Sequence, residues 1–428
     1  VAEPTANPPP SPLTARDRRP FVVLQAANAV SLSGNQVAAL AIPWFVLQST
    51  GSATLTGIVG AAGFLPIVLS ALFGGAIVDR LGFRRVSILA DLASGLTVAL
   101  IPLLHAAEAL GFPTLVALVF LGALLDTPGA TARAALVPDL AARGGIAIER
   151  ATASEQAVER GSLLVGAPLA GALIAVLGPT AVLWLNAASF AVSALLVAVA
   201  LPGSAIPAPE PRERSRGYRA ELAEGLRFIR DDTLMRALLA VLVVTNFLDA
   251  VWGSVLAPVF ALEVYGSPLA LGLMAAAGGG GAVAGALAYA AVGPRWPRLP
   301  PFLAGFAVAG SRTIFLATLP GLPVAVAIVA VGGFGAGPLN PILGAVWYER
   351  IPAYLRGRVL GAGTAVSYAA IPLGALAGGP LLGAVGLRGA LLAVGGVYLA
   401  TILAALAIPA IRDLDAKRGT EPDGAASG

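Results

Sequence analysis

Long apolar stretches separated by short polar interruptions run almost the whole length of the chain. From Phe21 onward the stretches are long enough for a helix to cross a bilayer, at about 20 residues per crossing. Twelve spans are predicted, at about 20–48, 54–78, 85–107, 112–138, 151–177, 179–201, 234–262, 267–292, 299–319, 322–348, 358–383 and 387–411. The polar remainder divides the chain. Residues 1–19 are Pro-rich and polar, which predicts a disordered cytosolic tail. They lack the short apolar core and small-residue cleavage site of a signal peptide. Residues 20–201 form a first six-helix unit, 202–233 a linker, 234–411 a second unit, and 412–428 a second tail. In the linker Tyr218, Leu222, Leu226 and Ile229 share one helical face, while Arg219, Glu221, Glu224 and Arg227 lie away from it. That pattern fits an amphipathic helix on the membrane surface. It equally fits a solvated linker with one or two helical turns.

The two units repeat each other. Residues 42–57 (IPWFVLQSTGSATLTG) align without a gap on residues 257–272 (APVFALEVYGSPLALG). Pro43, Phe45, Leu47, Gly51, Ser52 and Gly57 recur as Pro258, Phe260, Leu262, Gly266, Ser267 and Gly272. Duplicated halves characterise many secondary transporters, whose substrate sites lie near the midplane between the halves. In the same register Asp249 falls opposite Gly34, one residue from Asn35. Arg80 falls opposite Arg295, and Asp79 opposite Pro294.

Composition agrees with lipid as the solvent. The chain is 57% hydrophobic and only 12% charged, against roughly 25% charged in soluble domains. Its formal charge of +4 says little about partners, because the basic residues, nearly all Arg, sit between spans. Placing the N-terminus inside puts almost every loop arginine on the inner side and leaves only Arg388 outside, so both termini are expected in the cytosol. With no Cys and a single histidine, His105, neither thiolate chemistry nor a histidine metal site is expected. No cofactor, metal or nucleic-acid partner is expected, and no nucleophile–base constellation points to an enzyme.

Candidate chemistry lies inside the spans. Asp126 and Asp249 sit near the centres of spans 4 and 7, each about 20 Å from either end at 1.5 Å per residue. A central acid costs ~2.5–3.5 kcal/mol on insertion scales and should face a polar cavity. Desolvation favours the neutral form of a carboxyl, which suits a proton carrier. A hydrogen-bonded packing role is the alternative. Asn35, Gln36, Asn246 and Trp252 place polar groups at similar depth, as substrate contacts or as glue between helices. Arg133 shares a face with Asp126, seven residues on, too far for an obvious direct salt bridge, and is a further substrate-binding candidate, for an anionic group. Asp91 reads as structural, as does Arg312, which could alternatively pair with an acid. Glu159, near the start of span 5, is a further proton-coupling candidate.

Between spans 2 and 3 the chain reads GGAIVDRLGFRRV. Gly75, Asp79, Arg80, Gly82 and Arg84 match the G-x-x-x-D-R-x-G-R-R signature, so the chain resembles the major facilitator superfamily. Gly166, Pro168 and Gly171 in span 5 resemble the exporter signature G-P-x-x-G, with Ala167 inside the usual G-P pair. With residues 33–59, ARAALVPDLA and IPAYLRGRVLGA, the likeness extends to the multidrug and macrolide efflux branch. Two positions depart from that pattern: Asn35 stands where the branch often has Asp, and Leu125 where many antiporters carry Arg.

The resemblance implies an all-α membrane protein of twelve helices in two pseudo-symmetric six-helix bundles. It implies a multi-pass exporter of the plasma membrane, working as a monomer among lipids. Such an exporter would move lipophilic, cationic or zwitterionic small molecules outward by alternating access, in exchange for protons. A siderophore or lipid exporter is the alternative within transport, and a non-transporting receptor or scaffold the alternative outside it. The resemblance also sets Asp79 against the helix beginning near Arg358, and Arg84 against Asp139, as a latch on the inner face.

Overall fold

The computed structural model describes residues 17–66, 82–201, 218–412 and 414–415. The first half comprises α1 (Arg19–Thr50), α2 (Ala53–Pro66), α3 (Phe83–Ala106), α4 (Phe112–Gly144), α5 (Ile148–Leu177) and α6 (Pro179–Ala200). A linker helix, α7 (Tyr218–Asp231), precedes α8 (Thr233–Tyr265), α9 (Pro268–Val292), α10 (Leu299–Leu316) and α11 (Leu322–Arg350). A continuous helical run, Arg356–Leu406, holds Gly386 at φ 68°, so it is two helices, α12 (356–385) and α13 (387–406). The described residues contain no strand. In hydrocarbon this is the expected outcome, since a helix closes its own backbone hydrogen bonds.

Short turns punctuate the helices with glycine in the left-handed region. Gly51 (φ 64°), Gly178 (φ 80°), Gly266 (φ 61°) and Gly386 sit at one end of the molecule, hereafter the turn face. Both described ends of the chain lie at the opposite, terminal face. There Arg18 Nε donates to the Gly144 carbonyl at 3.3 Å, and the Arg298 amide donates to Asp415 at 2.8 Å.

Two helices are less regular than their hydropathy predicts. In α8 the turn Trp252–Leu256 is a π-turn, with the Ala257 amide bonded to the Trp252 carbonyl. Pro258 supplies the reason: it has no N–H for the Ser254 carbonyl, and the ladder widens just before it. In α11, Pro338 likewise interrupts the ladder beside Gly337.

Of the linker, residues 218–231 form a helix packed on the second half, while 202–217 lie outside the described residues. Gly225 lets α7 approach α12 so closely that a Cβ there would lie 2.9 Å from Ala362 Cβ. Arg358 Nη1 donates to Glu224 at 2.6 Å, and Ile229 is buried. Asp232 then caps α8 through the Met235 amide and accepts from Arg350 Nε at 3.3 Å. The helix is therefore fastened to the second half.

The repeat has structural counterparts. The Gly51 amide bonds to the Leu47 carbonyl and the Gly266 amide to the Leu262 carbonyl, both at 2.9 Å, so the paired residues make the same cap. Gly57 and Gly272 also correspond. Each lies where a helix of one half touches a helix of the other. A Cβ on Gly57 of α2 would strike the Ala375 carbonyl of α12, and one on Gly272 of α9 would lie 2.7 Å from Gly171 Cα of α5. Gly379 of α12 similarly receives Thr54 of α2, and Leu47, Val255 and Val259 form an apolar plug beside them. These contacts close the turn face.

A leucine at Gly272 has no room while that seam is closed. Because the chain has no native cysteine, Thr50→Cys and Arg388→Cys provide a single pair of spin-label sites across the turn face. Introducing Gly272→Leu should lengthen the measured distance. An unchanged distribution would show that the seam does not hold the face shut.

Candidate functional site

A cavity of about 820 Å³ lies between the halves. Its wall is mostly apolar and includes Phe64, Ile101, Phe190 and Met274. Three charged residues line it: Asp126 from α4, Asp249 from α8 and Arg312 from α10. Asn35, Asn186 and Trp252 also line it.

Each acid has a different setting. Asn35 Nδ2 donates to Asp126 Oδ2 at 2.8 Å. Asp126 Oδ1 is buried and has no partner among the described residues. Asp249 instead accepts from Arg312 Nη2 at 2.6 Å, with 47% of its side chain exposed to the cavity against 15% for Arg312. The Arg312 guanidinium also lies over Trp252, 5.6 Å from the ring centroid. Gly332 of α11 makes this reach possible, because the stem of Arg312 occupies the space where a Cβ would stand.

The expected site is thus only partly assembled. Asn35, Asp126, Asp249 and Trp252 meet at the cavity. Gln36 packs beside Gly166, where a Cβ would lie 2.9 Å from Gln36 Cβ. Asn246 Nδ2 donates to the Ser367 carbonyl at 3.2 Å, which ties α8 to α12. Glu159 is exposed on α5 and does not line the cavity.

Arg133 is also absent from the cavity wall and is buried, with 1% of its side chain exposed. Its Nη1 donates to Asp91 at 2.6 Å, Nε to Asn28 at 2.7 Å and Nη2 to Ser31 at 3.3 Å. Ser193 Oγ donates to the second Asp91 oxygen at 2.7 Å. This network joins α1, α3, α4 and α6 and consumes the charge that a ligand would need. Arg312, read from the sequence as structural with an acid as its alternative partner, pairs with Asp249 at the cavity. Asp91 and Arg312 left one readable trace in the sequence: a buried arginine needs an acid.

The latch residues Gly75, Asp79 and Arg80 lie outside the described residues. Gly82 precedes α3 at φ 79°. Arg84 does not pair with Asp139. Its Nη2 donates to the Ala198 carbonyl at 2.8 Å, at the end of α6, while Asp139 is exposed. Gly166, Pro168 and Gly171 lie along α5, the glycines facing Gln36 and Gly272.

Two duplicated helical halves around a central cavity define a polytopic membrane transporter. Residues 25–375 match the Major Facilitator Superfamily, and the chain belongs to that family. It is 36% identical over 404 residues to the multidrug efflux pump Tap of Mycobacterium tuberculosis, covering 93% of this chain and 96% of the relative. It is 23% identical over 413 residues to macrolide efflux protein A of Streptococcus pyogenes, covering 93% and 98%. Among solved structures, the nucleoside transporter NupG superposes with a TM-score of 0.77 at 12% identity, covering 91% of this chain and 98% of that one. The protein is therefore a multi-pass plasma-membrane transporter of the efflux type, taking a small-molecule substrate, and not an enzyme.

The Arg133 network sets a stability expectation. Arg133→Ala leaves Asp91 buried without its counter-charge, which should cost about 3–5 kcal/mol. The double variant Arg133→Leu/Asp91→Ala removes both charges and should recover much of that loss. Thermal unfolding in detergent compares them, and equal loss in both would assign the effect to packing.

Proposed function

We propose that this transporter exports lipophilic small molecules carrying one positive charge, or a zwitterion, by alternating access in exchange for protons. The observation that carries this reading is the central cavity, which is apolar in wall, bears one net negative charge and lies between the two halves. A bulky lipophilic ligand gains from burial in such a wall, while a few polar groups orient it. The similarity to proteins named as multidrug and macrolide efflux pumps supports the same substrate class.

Asp126 is the residue assigned to coupling. One carboxylate oxygen is held by Asn35 and the other has no partner among the described residues, which leaves it to a proton or a ligand. In its ionised form the acid attracts a cation across a low-dielectric space. Protonation cancels the cavity's net charge and weakens that hold. Proton and substrate then exclude each other at one carboxyl, so that proton entry promotes substrate exit. Asn35 serves as the polar ligand contact beside the acid, and Trp252, whose indole face lies under Arg312, contributes to the wall.

Sidedness follows from the arginines. Arg18, Arg19, Arg85, Arg143, Arg150, Arg295, Arg350, Arg356 and Arg358 cluster towards the terminal face, against Arg388 at the turn face. The positive-inside rule makes the terminal face, and both termini, cytosolic. With the turn face closed, the described state is then the one that loads from the cytosol or the inner leaflet. The whole pathway lies within one chain, which suits a monomer in the lipid.

Proteoliposomes with an imposed pH gradient test the proposal with ethidium as the probe. The parent should accumulate the dye against its gradient. Asp126→Asn should lose at least about tenfold of that accumulation while retaining dye exchange, because a lost decade corresponds to ~1.4 kcal/mol of coupling. Normal coupling in Asp126→Asn would remove Asp126 from the mechanism. Transport of anionic chelates or phospholipids in place of ethidium would favour a siderophore or lipid exporter, and binding without transport a receptor.

A further inference from the structure

The exporter reading leaves one arrangement unused. The cavity has two acids but behaves as a site with one negative charge, since Arg312 neutralises Asp249. We propose that Arg312 is a specificity-determining residue that masks Asp249 and so restricts the cavity to ligands with a single positive charge. This deepens the exporter reading and rests on it for the site, but it concerns charge selection rather than transport.

Three observations support the mask. Arg312 Nη2 lies 2.6 Å from Asp249 Oδ1, a close charge-assisted hydrogen bond. The same guanidinium covers Trp252 at 5.6 Å. Arg312 therefore occupies the carboxylate and the aromatic face that a cationic ligand group would otherwise use on this wall. Its stem lies in the groove left by Gly332, which holds the head in place from α11. Across the cavity, Asp126 is paired, among the described residues, only to a neutral amide. Among the described residues no other charged side chain lines the space.

The energetics then select by charge number. A monocation finds Asp126 and an apolar wall. A dication of the same shape must place its second charge in a low-dielectric cavity with no free counter-charge, which carries a desolvation penalty of its own. It can take Asp249 only by displacing Arg312, and the freed guanidinium would then lack an acid. The Arg312 Nε already has no partner among the described residues.

Ethidium and propidium make a suitable probe pair, because they share one ring system and carry one and two positive charges. Binding to purified protein in detergent is read by dye fluorescence. The parent should bind ethidium at least about tenfold more tightly than propidium. Arg312→Gln exposes Asp249 and should narrow that ratio about tenfold by improving propidium binding. Arg312→Lys, which keeps the charge, should retain the parent ratio.

Arg312→Gln leaves an unpaired acid and could fail to fold. The double variant Arg312→Gln/Asp249→Asn has no unpaired charge and makes an independent test. It should bind ethidium within about threefold of the parent and keep the preference for one charge. A large loss of ethidium affinity in the double variant would mean that Asp249 already serves the ligand, and would overturn the mask. An unchanged dye ratio in folded Arg312→Gln would overturn it as well, while leaving export intact. Failure of the parent to bind either dye would overturn both the mask and the lipophilic-cation reading.

Discussion

Within a bilayer a charged or amide group can bond only to other groups of the protein or to what enters its cavities. That constraint orders the interior of this transporter. In the first half it gathers Arg133, Asp91, Asn28, Ser31 and Ser193 into a closed network between four helices. In the second half it draws Arg312 across to Asp249. The first network is sealed and structural. The second stands on the cavity wall, where its opening changes what the cavity can hold. Asp126 is the remaining acid, with an amide for a partner and one oxygen left over.

The fold was legible in the sequence because its signals are long and redundant. Twenty apolar residues can be read without knowing their neighbours, and most observed helix ends fall within a few residues of the expected ones. The irregularities were less visible. Pro258 marked a weak point in α8, but proline alone does not distinguish a kink from the π-turn that forms there. The corner at Gly386 falls in the gap expected between the last two spans, two residues before Arg388.

The site was legible only in part, for a physical reason. Depth along a span can be counted, and Asn35, Asp126, Asp249 and Trp252, expected at one level, all line the cavity. Direction around a helix among its neighbours cannot be counted, so Gln36 and Asn246, expected at that level, face other partners, as does Arg133 nearly two turns away. A census of charges would have helped. Arg133 and Arg312 are the arginines deep in the described spans, and Asp91, Asp126 and Asp249 the aspartates. Two pairs form, and the acid left without a base is Asp126.

Gly57 and Gly272 occupy matching positions in the two halves, and each meets the opposite half. This reciprocity is what a two-fold assembly of identical six-helix chains produces, because any contact made by one copy is made again by the other. In such an ancestral homodimer a single glycine would have served both seams. Gene fusion frees the two copies to diverge, and here the partners already differ: Ala375 on one side, Gly171 on the other. Fusion thus turns one inherited contact into two that selection can tune separately, so that opening need no longer be equally easy on both sides of the axis.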